Sequence, residues 1–179
     1  MTESQTEDLR YPIGKFNFNA DADEQAIQKA ISEIEKFPTL IREAVKGLSD
    51  HQLDTPYRDG GWSVRQVVHH LADSHINAYI RVKFALTENN PIIKPYEENA
   101  WAQLEDSKLP VEISLSLLEA LHQRWVFILK KLSADDLNKT VVHPQNNREM
   151  SVKFLIFLYA WHGAHHTAHV TELRKRMKW

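Results

Sequence analysis

An all-α four-helix bundle is the fold this sequence predicts, and three observations predict it. Four long segments carry apolar residues at helical spacing, the pattern of helices that bury one face. No segment alternates apolar and polar residues in a convincing strand pattern. Glycine, the usual residue of tight turns, occurs only 5 times in 179 residues. A hydrophobic content of 42% against 26% charged residues is that of a globular protein with a sizeable core. The length suits one domain over 1–179, with residues 1–20 as an extended N-terminal arm.

The first helix begins at the acidic stretch Asp21-Ala-Asp-Glu24, because negative charge suits a helix N-terminus. It runs to about Lys46 with Ile27, Ile31, Ile34, Leu40, Ile41 and Val45 as its stripe, and Pro38 inside it predicts a kink. Ser49-x-x-Gln52 reads as a short capped turn, and Pro56-Tyr-Arg-Asp-Gly-Gly61 as a breaker. Ser63-x-x-Gln66 is a capping box for the second helix, Trp62 to about Glu88, which Asn89-Asn90-Pro91 ends. Residues 91–110 form a long crossing connection with Tyr96 and Trp101, long enough to act as a lid and to let helices two and three run parallel. Helix three covers about 111–131. A loop with Pro144 and Asn146-Asn147 leads to helix four, about Ser151 to Arg176. Leu48-Ser-x-x-x-Leu53 before Ser63-Val64 is echoed by Leu132-Ser-x-x-x-Leu137 before Ser151-Val152. Each half therefore reads as helix, capped turn, loop, helix.

Several function classes drop out. A formal net charge of −2 offers no basic face for nucleic acid. No apolar run approaches the length of a membrane span, and the acidic, polar N-terminus does not read as a signal peptide, so a cytoplasmic location is expected. The absence of cysteine removes disulfides, a thiol nucleophile and thiolate-held metals.

The 10 histidines are the remaining chemistry. Helix four holds His162, His165, His166 and His169. His162 and His166, four residues apart, fall one turn apart on one helix face, a chelating arrangement for two neutral imidazoles. Their mean direction is that of Leu155 and Leu173, with Gly163, Thr167 and Arg174 pointing away, so the pair is expected to face the bundle interior. Gly163 stands where the zinc proteases carry Glu, and helix four has no Glu before Glu172, which excludes a zincin and a di-iron carboxylate site. For a third ligand helix two offers His69, His70 and His75. Counted from the capping serine, His70 at +7 shares a helical phase with His162 and His166 at +11 and +15, whereas His69 lies about 100° away. This favours His70 and leaves His69 as the alternative. The competing reading is plain: a buried histidine is more often a hydrogen-bonded core residue than a ligand.

Gly61-Trp-Ser-Val-Arg-Gln-Val-Val-His-His70-Leu-Ala-Asp73 and His162-Gly-Ala-His-His166-Thr-Ala-His169-Val resemble the two signatures of the DinB-like superfamily. The resemblance covers most of the chain and is close to the YfiT-type metal-dependent hydrolases, which are related to bacillithiol S-transferases. It implies a four-helix bundle with a crossed connection, one divalent metal per subunit on His70, His162 and His166, and a homodimer. Thr167-Ala168-His169 replaces the Arg-Gly-Gln of many relatives, so no role is carried over there.

Three imidazoles leave at least one coordination position open, the mark of a catalytic site. Zinc is the expected ion, with nickel as the alternative. Zinc lowers the pKa of water toward about 7, which suits hydrolysis of a small molecule. The same position suits a low-molecular-weight thiol held as thiolate for transfer to an electrophile. A non-catalytic metal-binding stress protein is the rival of another class. Asp73, three residues beyond His70, is the expected base or hydrogen-bond support for a ligand, with a solvated acid as its competing reading. His75, His122 and His143 receive no role, and Trp125 and the arc of Phe154, Phe157 and Trp161 read as core or dimer surface.

Overall fold

The computed structural model describes residues 9–145 and 148–179. Four long helices dominate: α1 (Glu24–Val45), α2 (Val64–Thr87), α3 (Val111–Leu129) and α4 (Val152–Met177). All four follow from the sequence with ends within about three residues of expectation. Their starts are set by side chains that cover orphan N–H groups. Asp23 Oδ1 accepts from Ala26 N–H at 2.8 Å at the start of α1. Ser63 and Gln66 make a reciprocal capping box on α2. Ser151 Oγ accepts from Phe154 N–H at 3.0 Å on α4. At the end of α1 the carbonyls of Ala44 and Lys46 accept from the Arg174 guanidinium at 2.9 and 3.1 Å, and Gly47 then turns the chain with φ +76°. Among the described residues no helix is long and apolar enough to cross a membrane.

Paired contacts give the helix directions. His69 meets Ser114 and His75 meets His122, so α2 and α3 run parallel, as the crossing connection allows. Phe37 packs on Gly163 and Ala44 meets Arg174, so α1 and α4 are also parallel. Arg42 meets Glu112 while Glu35 meets Lys130, which sets α1 antiparallel to α3. The site therefore lies where α2 and α4 face each other.

The internal echo is visible in the backbone. Ser49 and Ser133 each cap a short helix, Asp50–Leu53 and Ala134–Asn138. Val64 N–H then donates to Thr55 O at 3.2 Å, and Val152 N–H to Lys139 O at 2.9 Å. Pro56 bridges Ser63, and Thr140 pairs with Ser151. In the second half this bridge extends into a small antiparallel hairpin, β1 (Thr140–His143) and β2 (Arg148–Ser151), which the sequence pattern does not announce. Four residues per strand are too few for an alternation signal, and only Val141 and Met150 are buried in them. Asn146-Asn147 lie outside the described residues.

Helix four is enclosed on more than one side, which corrects the expectation for Gly163. That residue is buried against Phe37 of α1, and Arg174 also reaches α1. The arc of Phe154, Phe157 and Trp161 is covered by Phe16 and Phe18 of the N-terminal arm, with ring centroids 5.1–6.0 Å apart. Leu9 and Arg10 of that arm are helical rather than extended.

Candidate metal centre

The core is not continuous. One apolar cluster, including Ile34, Trp125 and Tyr159, fills one part of the bundle; another, including Phe37, Val67 and Val170, fills the rest. A layer of histidines lies where they meet. His75 packs on Phe37 at 4.7 Å and on Tyr159 at 5.3 Å between ring centroids.

At one end of this layer the rings of His70, His162 and His166 converge. Each offers one ring nitrogen, and the three nitrogens lie within 4.8 Å of one another. Ring centroids are 4.5 Å apart for His162 and His166, the pair one turn apart on α4. His70 Nε2 lies 3.4 Å from His162 Nε2. Two helices from the two halves of the chain thus aim imidazoles at one point, as the phase argument required. Trp62, next to the α2 cap, covers His70 with centroids 4.5 Å apart.

The neighbouring His69 is engaged elsewhere. Its Nε2 donates to Leu109 O at 3.0 Å, and its Nδ1 accepts from the Ser114 hydroxyl at 2.7 Å. Both nitrogens are committed to α3 and the connection before it, and His69 does not join the cluster.

Electrostatics favour neutral rings. Burial pushes the His70 imidazole down to about 4. Burial first, then the neighbouring imidazoles, hold His162 and His166 well below the ordinary value. Neutral imidazole is the form that donates a lone pair to a metal. Three neutral nitrogen donors, with no thiolate, fit zinc or another borderline divalent ion.

The cluster floors a cavity of about 490 Å³. Arg10, Tyr57, Arg58 and Trp161 line its walls, together with Glu98 and Asn99 of the crossing connection. Glu98 is the sole carboxylate lining it among the described residues. Sequence reasoning missed Glu98, because an acidic residue in a one-turn helix carries no pattern. Asp73, the acid it did single out, does not line this cavity. Its carboxyl is half-buried, and burial, then the charge of Asp106, push it up to about 6. A second cavity of about 360 Å³ reaches His162 from another side, lined by Arg81, Tyr96, Glu98 and Tyr159. The connection thus contributes to both cavities, with Tyr96 in the second and Trp101 in neither. His165 stacks on Trp161 and His169 on Tyr57, with centroids 4.4 and 3.9 Å apart.

A four-helix bundle with an inward-facing three-histidine cluster at the junction of its halves is the class of protein these features define. The chain belongs to the DinB superfamily, whose family model matches residues 33–170. It is 58% identical over 172 residues to a Bacillus cereus protein described as a "putative metal-dependent hydrolase", covering 96% of this chain and 99% of that one. A Bacillus anthracis relative with the same description matches at the same identity and coverage. Among solved structures the chain is similar to YfiT from Bacillus subtilis, "a probable metal-dependent hydrolase with an unusual four-helix bundle topology". That likeness has a TM-score of 0.94 at 46% identity and covers 96% of this chain and 99% of that one.

Proposed function

We propose that this protein is a metal-dependent hydrolase of a small molecule, with one divalent ion, zinc, held by His70, His162 and His166. The observation that carries the reading is the convergence of three neutral ring nitrogens within 4.8 Å at the floor of a cavity. The relatives' descriptions agree with it. His70, His162 and His166 would hold a divalent ion, which when bound would supply Lewis acidity and lower the pKa of water toward about 7.

The chain's own residues do the rest. Glu98 is the carboxylate in the cavity wall that takes up the proton released from the attacking water. Arg10 and Arg58 present guanidinium groups beside the aromatic walls of Tyr57, Trp62 and Trp161. This lining fits a substrate with an apolar body and an anionic end, oriented by charge-assisted hydrogen bonds.

The test uses protein purified without an affinity tag. One zinc per chain and hydrolysis of small carboxylate-bearing esters, both abolished by His162→Ala or His166→Ala in folded protein, is the expected result. Unchanged metal content in those variants would overturn the ligand set. Consumption of a small thiol with an epoxide, in place of ester turnover, would move the reaction class to S-transfer on the same site.

A further inference from the structure

Two strings of hydrogen-bonded histidines run away from the cluster, and each ends on a main-chain carbonyl. A carbonyl can only accept, so the end of each string sets the direction of every bond in it.

The first string starts in α1. Pro38 has no N–H, and the carbonyl four residues before it, that of Ile34, loses its helical donor. His122 Nδ1–H donates to Ile34 O instead, at 2.7 Å. His122 Nε2 then bears the lone pair and accepts from His75 Nδ1–H at 2.8 Å. His75 Nε2 in turn accepts from His162 Nδ1–H at 3.3 Å. This leaves His162 Nε2 unprotonated, the nitrogen that lies 3.4 Å from His70 Nε2.

The second string starts in the N-terminal arm. His169 Nε2–H donates to Arg10 O at 3.2 Å, which leaves its Nδ1 free to accept. His166 Nδ1–H donates to that atom at 3.3 Å, so His166 Nε2 also carries a lone pair.

We propose that His75 and His122 on one side, and His169 on the other, are positioning residues that lock His162 and His166 as Nδ1–H tautomers, so that both Nε2 lone pairs are set for the metal before it arrives. The inference rests on the metal-site reading for its purpose but not for its geometry. Hydrogen-bonded partners of this kind orient ligand rings and raise their basicity. Here the acceptors are further imidazoles, all buried, where a chain ending on a carbonyl satisfies every donor; His75 and His122 each pack against both apolar clusters. Pro38 provides that carbonyl at one end. The arm provides the other, through the main chain of Arg10.

A long-range 1H–15N correlation spectrum of the metal-free protein at pH 7.5 tests the direction of the bonds. His75, His122, His162 and His166 are expected as Nδ1–H tautomers, and His169 as the Nε2–H tautomer. An Nε2–H on His162 or His166 overturns the proposal. His75→Phe and His169→Phe keep a ring in place and remove the acceptor. Each is expected to weaken zinc binding by roughly 10–100-fold, read by chelator competition. Wild-type zinc affinity in both folded variants would also overturn it. Should neither variant fold, the wild-type spectrum decides alone. Wild-type protein that shows these tautomers yet binds no zinc would sink the proposed function while the hydrogen-bond directions stand.

Discussion

Replacing Gly163 by alanine tests whether the α1–α4 contact is as tight as the structure states. A Cβ there would lie 2.6 Å from Phe37 Cδ2, 3.0 Å from Cγ and 3.1 Å from Cε2. The ring has little room to yield, because Phe37 is 3% exposed and packs on His75 and His122. Alanine gains about 1 kcal/mol in helix propensity over glycine. Overpacking a closed core costs about 1–3 kcal/mol. With the ring held between α1 and two buried imidazoles, the upper half of that range applies, and the net loss is about 1–2 kcal/mol. In a chain of this length each kcal/mol moves Tm by roughly 2–4 °C. Thermal unfolding should therefore show a fall in Tm of roughly 2–8 °C, with metal affinity falling too as Phe37 presses on His75. An equal or higher Tm would refute the packing argument, since the gain in helix propensity would then outweigh the clash with Phe37.

His70→Ala should abolish metal binding and leave the metal-free fold near wild-type stability, whereas His69→Ala should keep the metal and lose about 1–3 kcal/mol, because Ser114 and Leu109 are left with unpaired polar groups; swapped phenotypes in metal analysis and urea titration would reverse the assignment. Glu98→Gln should lower kcat by roughly 10²–10⁴-fold with metal content unchanged, the usual scale for a lost general base; wild-type kcat would remove Glu98 from the chemistry. Burial holds the His122 and His169 imidazoles down at about 4, against 6.5 unfolded, so the metal-free protein should lose stability as pH falls from about 6.5 to about 4, read as a declining Tm. Asp73 has the opposite displacement for an acid: its carboxyl, pushed up to about 6, is protonated in the fold where the unfolded chain is ionised. Asp73→Asn should therefore leave stability unchanged below about pH 4, raise it increasingly up to about 6, and hold the gain above; a gain that shrinks toward pH 8 would contradict the burial argument.

The parts of the molecule that were legible in the sequence are those carried by local rules. Ser63-x-x-Gln66 announces a helix start because the two side chains satisfy each other's backbone donors within four residues. The His162 and His166 spacing places two rings on one face by helix geometry alone. Choosing His70 over its neighbour needed the internal echo, and the backbone bonds at Val64 and Val152 show that echo to be real structure. What escaped depends on contacts between distant segments. Gly163 reads as outward from its helical phase, but α4 is covered on that side too, by Phe37 more than 100 residues away in sequence. Glu98 enters the cavity only because the crossing connection folds back over α2, where Gln66 Nε2 donates to Ala102 O at 2.8 Å. The hairpin pairs segments whose four-residue strands are below the length at which alternation can be read.

Pro38 shows why a local rule can be right and still miss the point. The rule says that proline inside a helix removes a hydrogen bond, at a cost of about 3 kcal/mol or more in an isolated helix. Here the orphaned carbonyl is taken up by His122 from a different helix, at 2.7 Å, so the lost bond is replaced and α1 continues to Val45. The replacement does something the helical bond would not: it puts an acceptor-only group at the end of a buried polar string. Without a fixed end, neutral imidazoles in a row could hydrogen-bond in either direction, and the reversed order would place a proton on His162 Nε2. Histidine pairs of this kind are costly in an apolar core unless every donor is met. That the two strings run from two cluster members to two main-chain oxygens makes the histidine layer a single polar device, built around the point where the three rings converge.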